Sequence, residues 1–594
     1  MNVIYQECLS SRFVNSLKFN MSNSKSAAKG HPAGLYYLFF SEMWERFGYY
    51  LMLGIFSLYM LDSTANGGMG FDKTMKSDVY GTYLGLVYLT PFLGGLLADR
   101  LLGYRRSVVI GGLLMAAGYF GLSVDNNESV LYISLLLIIL GNGFFKPNIS
   151  TLVGNLYNDD RYRANKDAGY NIFYMGINIG SFICNFVAAY MRINYGWGWA
   201  FAAAGVGMLV GLVIFMSGTK SLKEADVMKP RQKEDKSMKS ILMTVFLPLF
   251  GMGIVGWFIP GNLLGSDAND AFIFGCIPVV IFYISLMTKA SDEDKGPIRA
   301  LLTVFACVVV FWAVFHQNGD ALTVWAEEYT DREVPTAMEG TFDTFGLTQT
   351  VTNDSDFFAF TDDEFKAREE QVTAEIDSMK AAGAKKDDYK DLQEQITLEK
   401  NSRVYFANLA EDRKPAEGEN LKLVSTELYQ SINPFWVIFL TPIIVGLFRI
   451  LKRKKREPST PTKVAYGLLI TGVSALVMVM AVESINMGNE KASSWWLIAS
   501  YGVITVGELF LSPMGLSLVS KLSPPRLTAL MMGGWFLSTA VGNKLSGMLG
   551  GLWEGIDNKS YYFLINFGLC LVAFLLLFAQ LKYLKKVMRE KNVF

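Results

Sequence analysis

Residues 33–61 read AGLYYLFFSEMWERFGYYLMLGIFSLYML, an apolar run of 29 residues interrupted by three charges. A bilayer core about 30 Å thick needs about 20 apolar residues per helix, so the run is long enough to cross one. The charges are Glu42, Glu45 and Arg46. At i, i+3 and i+4 they share one helix face, which Tyr49 and Tyr50 extend by a turn. Uncompensated, three charges at a helix centre cost about 8–10 kcal/mol on insertion scales. A partner inside a bundle of helices is therefore required.

The composition agrees with a membrane setting. The chain has 594 residues, 51% apolar, 14% aromatic and 18% charged, against about 25% charged in soluble proteins. A soluble reading would need about four domains and a charged surface to cover them. The charges are instead uneven: residues 107–123 and 299–316 carry almost none, whereas 362–400 is packed with them. Disordered, collagen-like and disulfide-scaffold chains are excluded. The five cysteines, Cys8, Cys184, Cys276, Cys307 and Cys570, show no CxxC spacing, and the last four lie in apolar runs as buried small residues. Two histidines, His31 and His316, exclude a His-rich metal site. Residues 1–30 lack the apolar stretch of a cleavable signal peptide, and Met21 is an alternative start.

Fourteen segments are predicted to span: 33–61, 79–98, 107–124, 130–156, 168–191, 198–217, 241–262, 270–288, 299–317, 434–450, 464–482, 494–519, 528–551 and 561–583. An even number places both termini on one side. Lys and Arg cluster in alternate loops, at Arg100, Arg105 and Arg106, at Arg161, Arg163 and Lys166, at Lys220 to Lys239, at Lys452 to Arg456, and from Lys582 to Lys591. By the positive-inside rule both termini are cytoplasmic and the chain is a multi-pass protein of the cell membrane.

One loop is far longer than a compact bundle needs. Residues 320–428 hold 26 acidic and 12 basic residues, a net of −14, which leaves the rest of the chain at +14. Within it Phe365, Val372, Ile376 and Met379 recur at helical spacing. AAGAKKDD then breaks the pattern, and Tyr389, Leu392 and Ile396 resume it. A helical hairpin outside the membrane is expected, either a solvated spacer or a recruiting surface whose partner is left open.

Two further deep charges stand out. Lys146, in GNGFFKPNIS, is the obvious partner for the first face, and Pro147 after it removes a backbone hydrogen bond. Glu508 lies in VGELFLSPMGLS of a later span. Structural ion pairs in register are one reading of these charges. Convergence of five charges on three spans favours a polar cavity. Carboxylates there are plausible proton carriers: desolvation and neighbouring cations pull their protonation in opposite directions, so a substrate competing for the cation links protonation to binding.

In order along the chain come EMWERFGYY, LTPFLGGLLADRLLGYRR, GFFKPN, FYMGINIGS, FWAVFHQNG, INPFW, GELFLSPMGLS and GGWFLSTAVGNK. The set resembles the proton-dependent oligopeptide transporter family of the major facilitator superfamily, over residues 33–317 and 431–583 but not the acidic insert. The resemblance implies an all-α polytopic membrane protein with two six-helix halves plus the two inserted helices of bacterial members. The implied organisation is a tail at 1–32, a six-helix bundle at 33–217, a linker with two extra helices at 218–298, and the first helix of the second bundle at 299–319. An outer insert at 320–430, the remaining helices at 431–583 and a tail at 584–594 complete it.

The function implied is proton-coupled import of di- and tripeptides by alternating access around a site between the halves. Arg46 and Lys146 would hold the peptide carboxylate and Glu508 its amino end, with Glu42 and Glu45 beside Lys146 moving protons. Tyr49, Tyr50, Tyr88, Tyr174, Asn178 and Asn433 would line the cavity, and Trp312 and Trp535 would wall side-chain pockets. Asp99 and Arg100 would be gating and helix-packing residues. No cofactor other than the proton, and no nucleic-acid partner, is implied. Two positions depart from the family's pattern. Leu53 stands where many relatives carry a second Arg, and His316 where several carry an acid; a histidine titrates near about pH 6.5 and offers itself as a proton sensor. Transport of another small solute, drug export, and a non-transporting receptor or scaffold that uses the insert remain alternatives. No HExxH, GxSxG or Walker-type loop supports an enzyme.

Overall fold

A helix lies at each of the fourteen apolar segments in the computed structural model, which describes residues 30–124, 127–159, 161–162, 165–227, 242–384, 386–524 and 527–591. The expectations for Cys8, Met21 and a leader fall outside these. The first six helices are α1 (Gly34–Leu61), α2 (Lys73–Leu97), α3 (Tyr104–Gly121), α4 (Glu128–Leu156), α5 (Lys166–Tyr195) and α6 (Trp197–Ser217). Next come α7 (Leu247–Trp257), α8 (Asp267–Thr288) and α9 (Asp292–Phe315).

Side chains at the helix starts satisfy the first free amides. The Asp72 carboxylate accepts from Met75 N at 2.7 Å, and Asn127 Oδ1 accepts from Val130 N at 3.0 Å. Nine helices among the described residues are long and apolar enough to cross a membrane. α1 is not one of them, because Glu42, Glu45 and Arg46 depress its hydropathy.

After α9 the chain turns through a 3₁₀ segment, His316–Gly319, into the short helix α10 (Ala321–Glu328). The buried Trp325 stacks on Tyr329 there at 5.0 Å and packs against Trp553. This corrects the expected boundary at 320: the apolar column continues to Glu328, and the insert emerges beyond it. The insert carries α11 (Thr336–Thr344), α12 (Asp362–Ala381) and α13 (Lys386–Phe406). The last two form the expected hairpin, closed around Phe365, Val372, Ile376, Tyr389 and Ile396.

Two small sheets were not anticipated. β1 (Thr330–Asp331) pairs in parallel with β4 (Ala492–Ser493), and β2 (Thr348–Thr352) runs antiparallel to β3 (Asn420–Val424), with Thr348 opposite Val424. The final helices are α14 (Ile432–Arg453), α15 (Thr460–Glu483), α16 (Ser494–Leu522), α17 (Thr528–Gly550) and α18 (Lys559–Glu590).

One apolar core joins α1 to α6, and a second joins α8, α9 and α15 to α18. The two groups meet where α2 crosses α17. A Cβ on Gly81 would lie 2.8 Å from the Gly547 Cα, so only glycine allows this approach. The crossing lies toward the end of the bundle that carries the insert.

Candidate functional site

The spacing that aligned the α1 charges also brings them into contact. Arg46 clasps Glu45 through Nε and Nη2, and its Nε stands 3.4 Å from Glu42 Oε1. All three side chains are buried. The second Glu42 oxygen is buried and has no hydrogen-bond partner among the described residues. Arg46 Nη2 also lies 3.4 Å from Asn142 Oδ1 on α4, whose amide donates to the Val87 carbonyl on α2 at 2.9 Å. The guanidinium faces the Tyr49 ring at 4.8 Å and the Tyr50 ring at 6.0 Å, within cation–π range. The compensation expected from elsewhere in the bundle therefore begins within α1, because Arg46 lies at i+1 and i+4 from the two carboxylates.

Lys146 differs from its expected role as ion-pair partner. Among the described residues it makes no ion pair; its ammonium sits 4.1 Å above the Tyr88 ring. Tyr88 in turn lies 6.2 Å from the His316 ring, which stacks on Trp312 at 5.7 Å and 23°. Among the described residues the buried nitrogens His316 Nε2 and Trp312 Nε1 have no hydrogen-bond partner. A column of Lys146, Tyr88, His316 and Trp312 thus runs from the first helix group into the second.

Glu508 is on the facing wall. Asn433 Nδ2 donates to its Oε2 at 3.3 Å and to Thr505 Oγ1 at 2.8 Å, which ties α14 to α16. Arg46 faces the Tyr50 ring at 6.0 Å, and Glu508 is within electrostatic range of the same tyrosine, so Tyr50 stands between the cationic and anionic groups. Tyr174 lies within reach of Glu42 and is 49% exposed. The Asn178 amide donates to the Tyr174 carbonyl at 3.0 Å.

Comparison with known proteins gives this arrangement a family. A family model described as the POT family matches residues 105–350 and 419–566. The chain belongs to the POT family. It is 30% identical to the uncharacterized transporter YclF of Bacillus subtilis, over 90% of each chain. It is 28% identical to a di-/tripeptide transporter of Lactococcus lactis subsp. lactis, over 95% of this chain and 98% of the other. Among solved structures, a mutant of the peptide transporter POT in complex with alafosfalin matches with a TM-score of 0.70 at 28% identity, covering 95% of this chain and 97% of that one. A POT family transporter in complex with 5-aminolevulinic acid matches with a TM-score of 0.69 at 26% identity, over 94% and 97%. The POT family is one of peptide transporters, not of enzymes, and its members have the major facilitator fold.

Within the POT fold, not every anticipated residue reaches the shared space. Trp535 is 3% exposed and packs edge-on to Phe305, its ring so close to Gly515 that a Cβ there would collide with it. In this conformation it is part of the packing between α9, α16 and α17, not an open pocket wall. Leu53 packs against the first core. Asp99 and Arg100 lie in a π-helical turn, Ala98–Leu102, after α2; their side chains fall outside the described set.

Several buried contacts between the two helix groups of this POT chain were missed. Lys76 pairs with Asp320, which also accepts from Ser77 Oγ at 2.9 Å. Lys544 meets Asp78 at 2.5 Å, Arg192 meets Glu427 at 2.6 Å, and Asn185 donates to Ser431 Oγ at 3.1 Å. All lie toward the insert end and join the two groups there. The available signal was the FDK at 71–73: an Asp N-cap starts α2 six residues before the expected 79 and carries Lys76 and Asp78 into the helix.

Proposed function

We propose that this POT family member imports di- and tripeptides together with protons. The observation that carries the reading is the pair of walls around Tyr50, with Arg46 on one and Glu508 on the other. A short peptide has opposite end charges and variable side chains, so such a cavity reads what is constant. Among the described residues Lys146 has no carboxylate partner of its own, and it takes the peptide carboxylate with Arg46. That carboxylate competes with Glu45 and Glu42 for the guanidinium. The unpartnered Glu42 oxygen is where a proton then fits, which couples protonation to binding by about 1–3 kcal/mol. His316 borders the same space with a free nitrogen and serves as a second proton-responsive group.

The basic loops support cytoplasmic termini and an insert outside the inner membrane. Residues 33–217 then form one half. Residues from 299 onward, without the insert, form the other, and the halves rock about the site. The closed insert end and half-exposed Tyr174 correspond to an inward-open state. A second reading, transport of another small zwitterion, rests on the relative bound to 5-aminolevulinic acid.

The test is uptake of a labelled dipeptide into proteoliposomes with and without an inward proton gradient. Accumulation above equilibrium only with the gradient is expected. No uptake of any peptide would overturn the reading. Glu508→Gln should abolish competition by peptides with free amino ends while leaving competition by N-acetylated ones; unchanged competition would place the amine site elsewhere.

A further inference from the structure

The hairpin of the insert, α12 and α13, falls in the stretch that the POT family model leaves unmatched, between residues 350 and 419. Its attachments are of two kinds. On the side of the second helix group, the insert segments that flank the hairpin are bonded through backbone carbonyls. Ala492 N donates to the Tyr329 carbonyl at 2.7 Å, Ala410 N to Asn489 O at 3.0 Å, and Ser494 Oγ to Asp331 O at 2.6 Å. Asn408 Nδ2 donates to the Glu328 carbonyl at 3.2 Å. These contacts join segments of one half and survive any rigid-body movement of that half.

The other side of the hairpin rests on the opposite half, at the turn between α1 and α2. Lys400 Nζ lies 3.1 Å from Asp62 Oδ1 and 3.4 Å from the Leu61 carbonyl. Gln393 Nε2 donates to Ala65 O at 3.1 Å, and the Thr397 hydroxyl meets Asn66 Oδ1. The Ala65 methyl is buried among Phe365, Ile376 and Ile396. Asp62 is itself held by Trp197 Nε1 at 2.8 Å and Asn66 Nδ2 at 3.1 Å, so the turn presents a preset acceptor. Lys400 and Asp62 are only about one-fifth exposed.

We infer that Lys400, Gln393 and Thr397 are outer-gate residues: the insert is a clasp anchored on one half that must release the α1–α2 turn of the other whenever the outside opens. The inference rests on alternating access and not on which solute is moved. The contact is small and polar, with one ion pair, three hydrogen bonds and one methyl group, as a contact broken in every cycle requires. It adds to the Lys76–Asp320 and Arg192–Glu427 pairs, and its strength sets the balance between inward- and outward-open states.

The test uses the full chain in liposomes, without substrate. Spin labels at Ser129→Cys and Ser484→Cys, exposed positions at the outer ends of the two halves, report their separation by electron–electron double resonance. Lys400→Glu should raise the population at long distance by about fivefold, the upper end for a partly exposed pair. Gln393→Ala with Thr397→Val should move it in the same direction without changing charge. Lys390→Glu, on the same helix but paired with Glu394 and exposed, should leave it unchanged. Unaltered distances in Gln393→Ala/Thr397→Val, or an equal shift from Lys390→Glu, would overturn the clasp. The readout involves no transport, so its failure is distinct from failure of the peptide reading.

Discussion

Arg46 makes two bonds to Glu45, one longer contact to Glu42, one to Asn142 and a ring contact to Tyr49, all from one planar group. A lysine ammonium keeps the charge but cannot reproduce that fork. Arg46→Lys should therefore leave the folded protein in place and cut the initial uptake rate by about a hundredfold, the scale of a 1 Å misplacement at a reacting or binding centre. Arg46→Ala would strand two buried carboxylates at about 3–5 kcal/mol, and should be seen first as lost thermal stability. His316 invites a different measurement. His316→Gln keeps a polar side chain but cannot take a proton; the pH profile of uptake should change shape, and an unmoved profile would remove it from coupling. At this scale the α1 face was legible because helical spacing alone brings Glu42, Glu45 and Arg46 together. The partner of Lys146 was not, since a tyrosine ring on another helix leaves no charge signature. The depth of Trp535 was likewise hidden, because it depends on Gly515 across a helix interface.

Among the elements, the hairpin α12–α13 was readable from apolar residues at helical intervals broken by AAGAKKDD. The strands β2 and β3 were not, because five-residue polar segments such as TQTVT acquire their meaning from a partner about 70 residues away. Helix α10 was hidden for another reason: Asp320, read as the first residue of a charged loop, is buried against Lys76. The seam between insert and bundle has its own titration. Lys491 donates to the Glu328 carbonyl and lies 4.6 Å from the Tyr405 ring. Burial, followed by the nearby Arg332 charge, pushes its ammonium down from 10.5 to about 7. The undocked insert therefore binds more protons between those values, and docking strengthens as pH rises from about 7, at up to about 1.4 kcal/mol per unit. Below pH 7 the full cost of the buried charge applies. Hydrogen exchange in β1 and β4, corrected for intrinsic rates, should slow from pH 7 to pH 9, and Lys491→Met should remove that change.

For the whole molecule, the balance of its two states depends on the outer contacts. The sharpest is the crossing of α2 and α17 at Gly81 and Gly547. Gly81→Leu puts a side chain where a backbone lies, and overpacking of this kind costs about 1–3 kcal/mol. The halves relieve it by parting at the outer end, so the variant should populate the long spin-label distance and lose most net uptake while remaining folded. The neutrality of the chain acquires meaning at this scale too: it is a cancellation between an acidic insert at −14 and a remainder at +14.

The insert leaves and returns by one narrow stem. Val424 N donates to Arg332 O at 2.7 Å and Val334 N to Lys422 O at 2.9 Å, with Glu333 bridged to Leu423. Seen from the bundle, about 90 residues of chain are therefore equivalent to a tight turn, and the cost of joining α10 to α14 grows only slowly with what hangs beyond. The stem is a graft point: a rigid binding module or imaging marker put in place of everything past it would keep the α10-to-α14 connection while removing the Lys400–Asp62 contact.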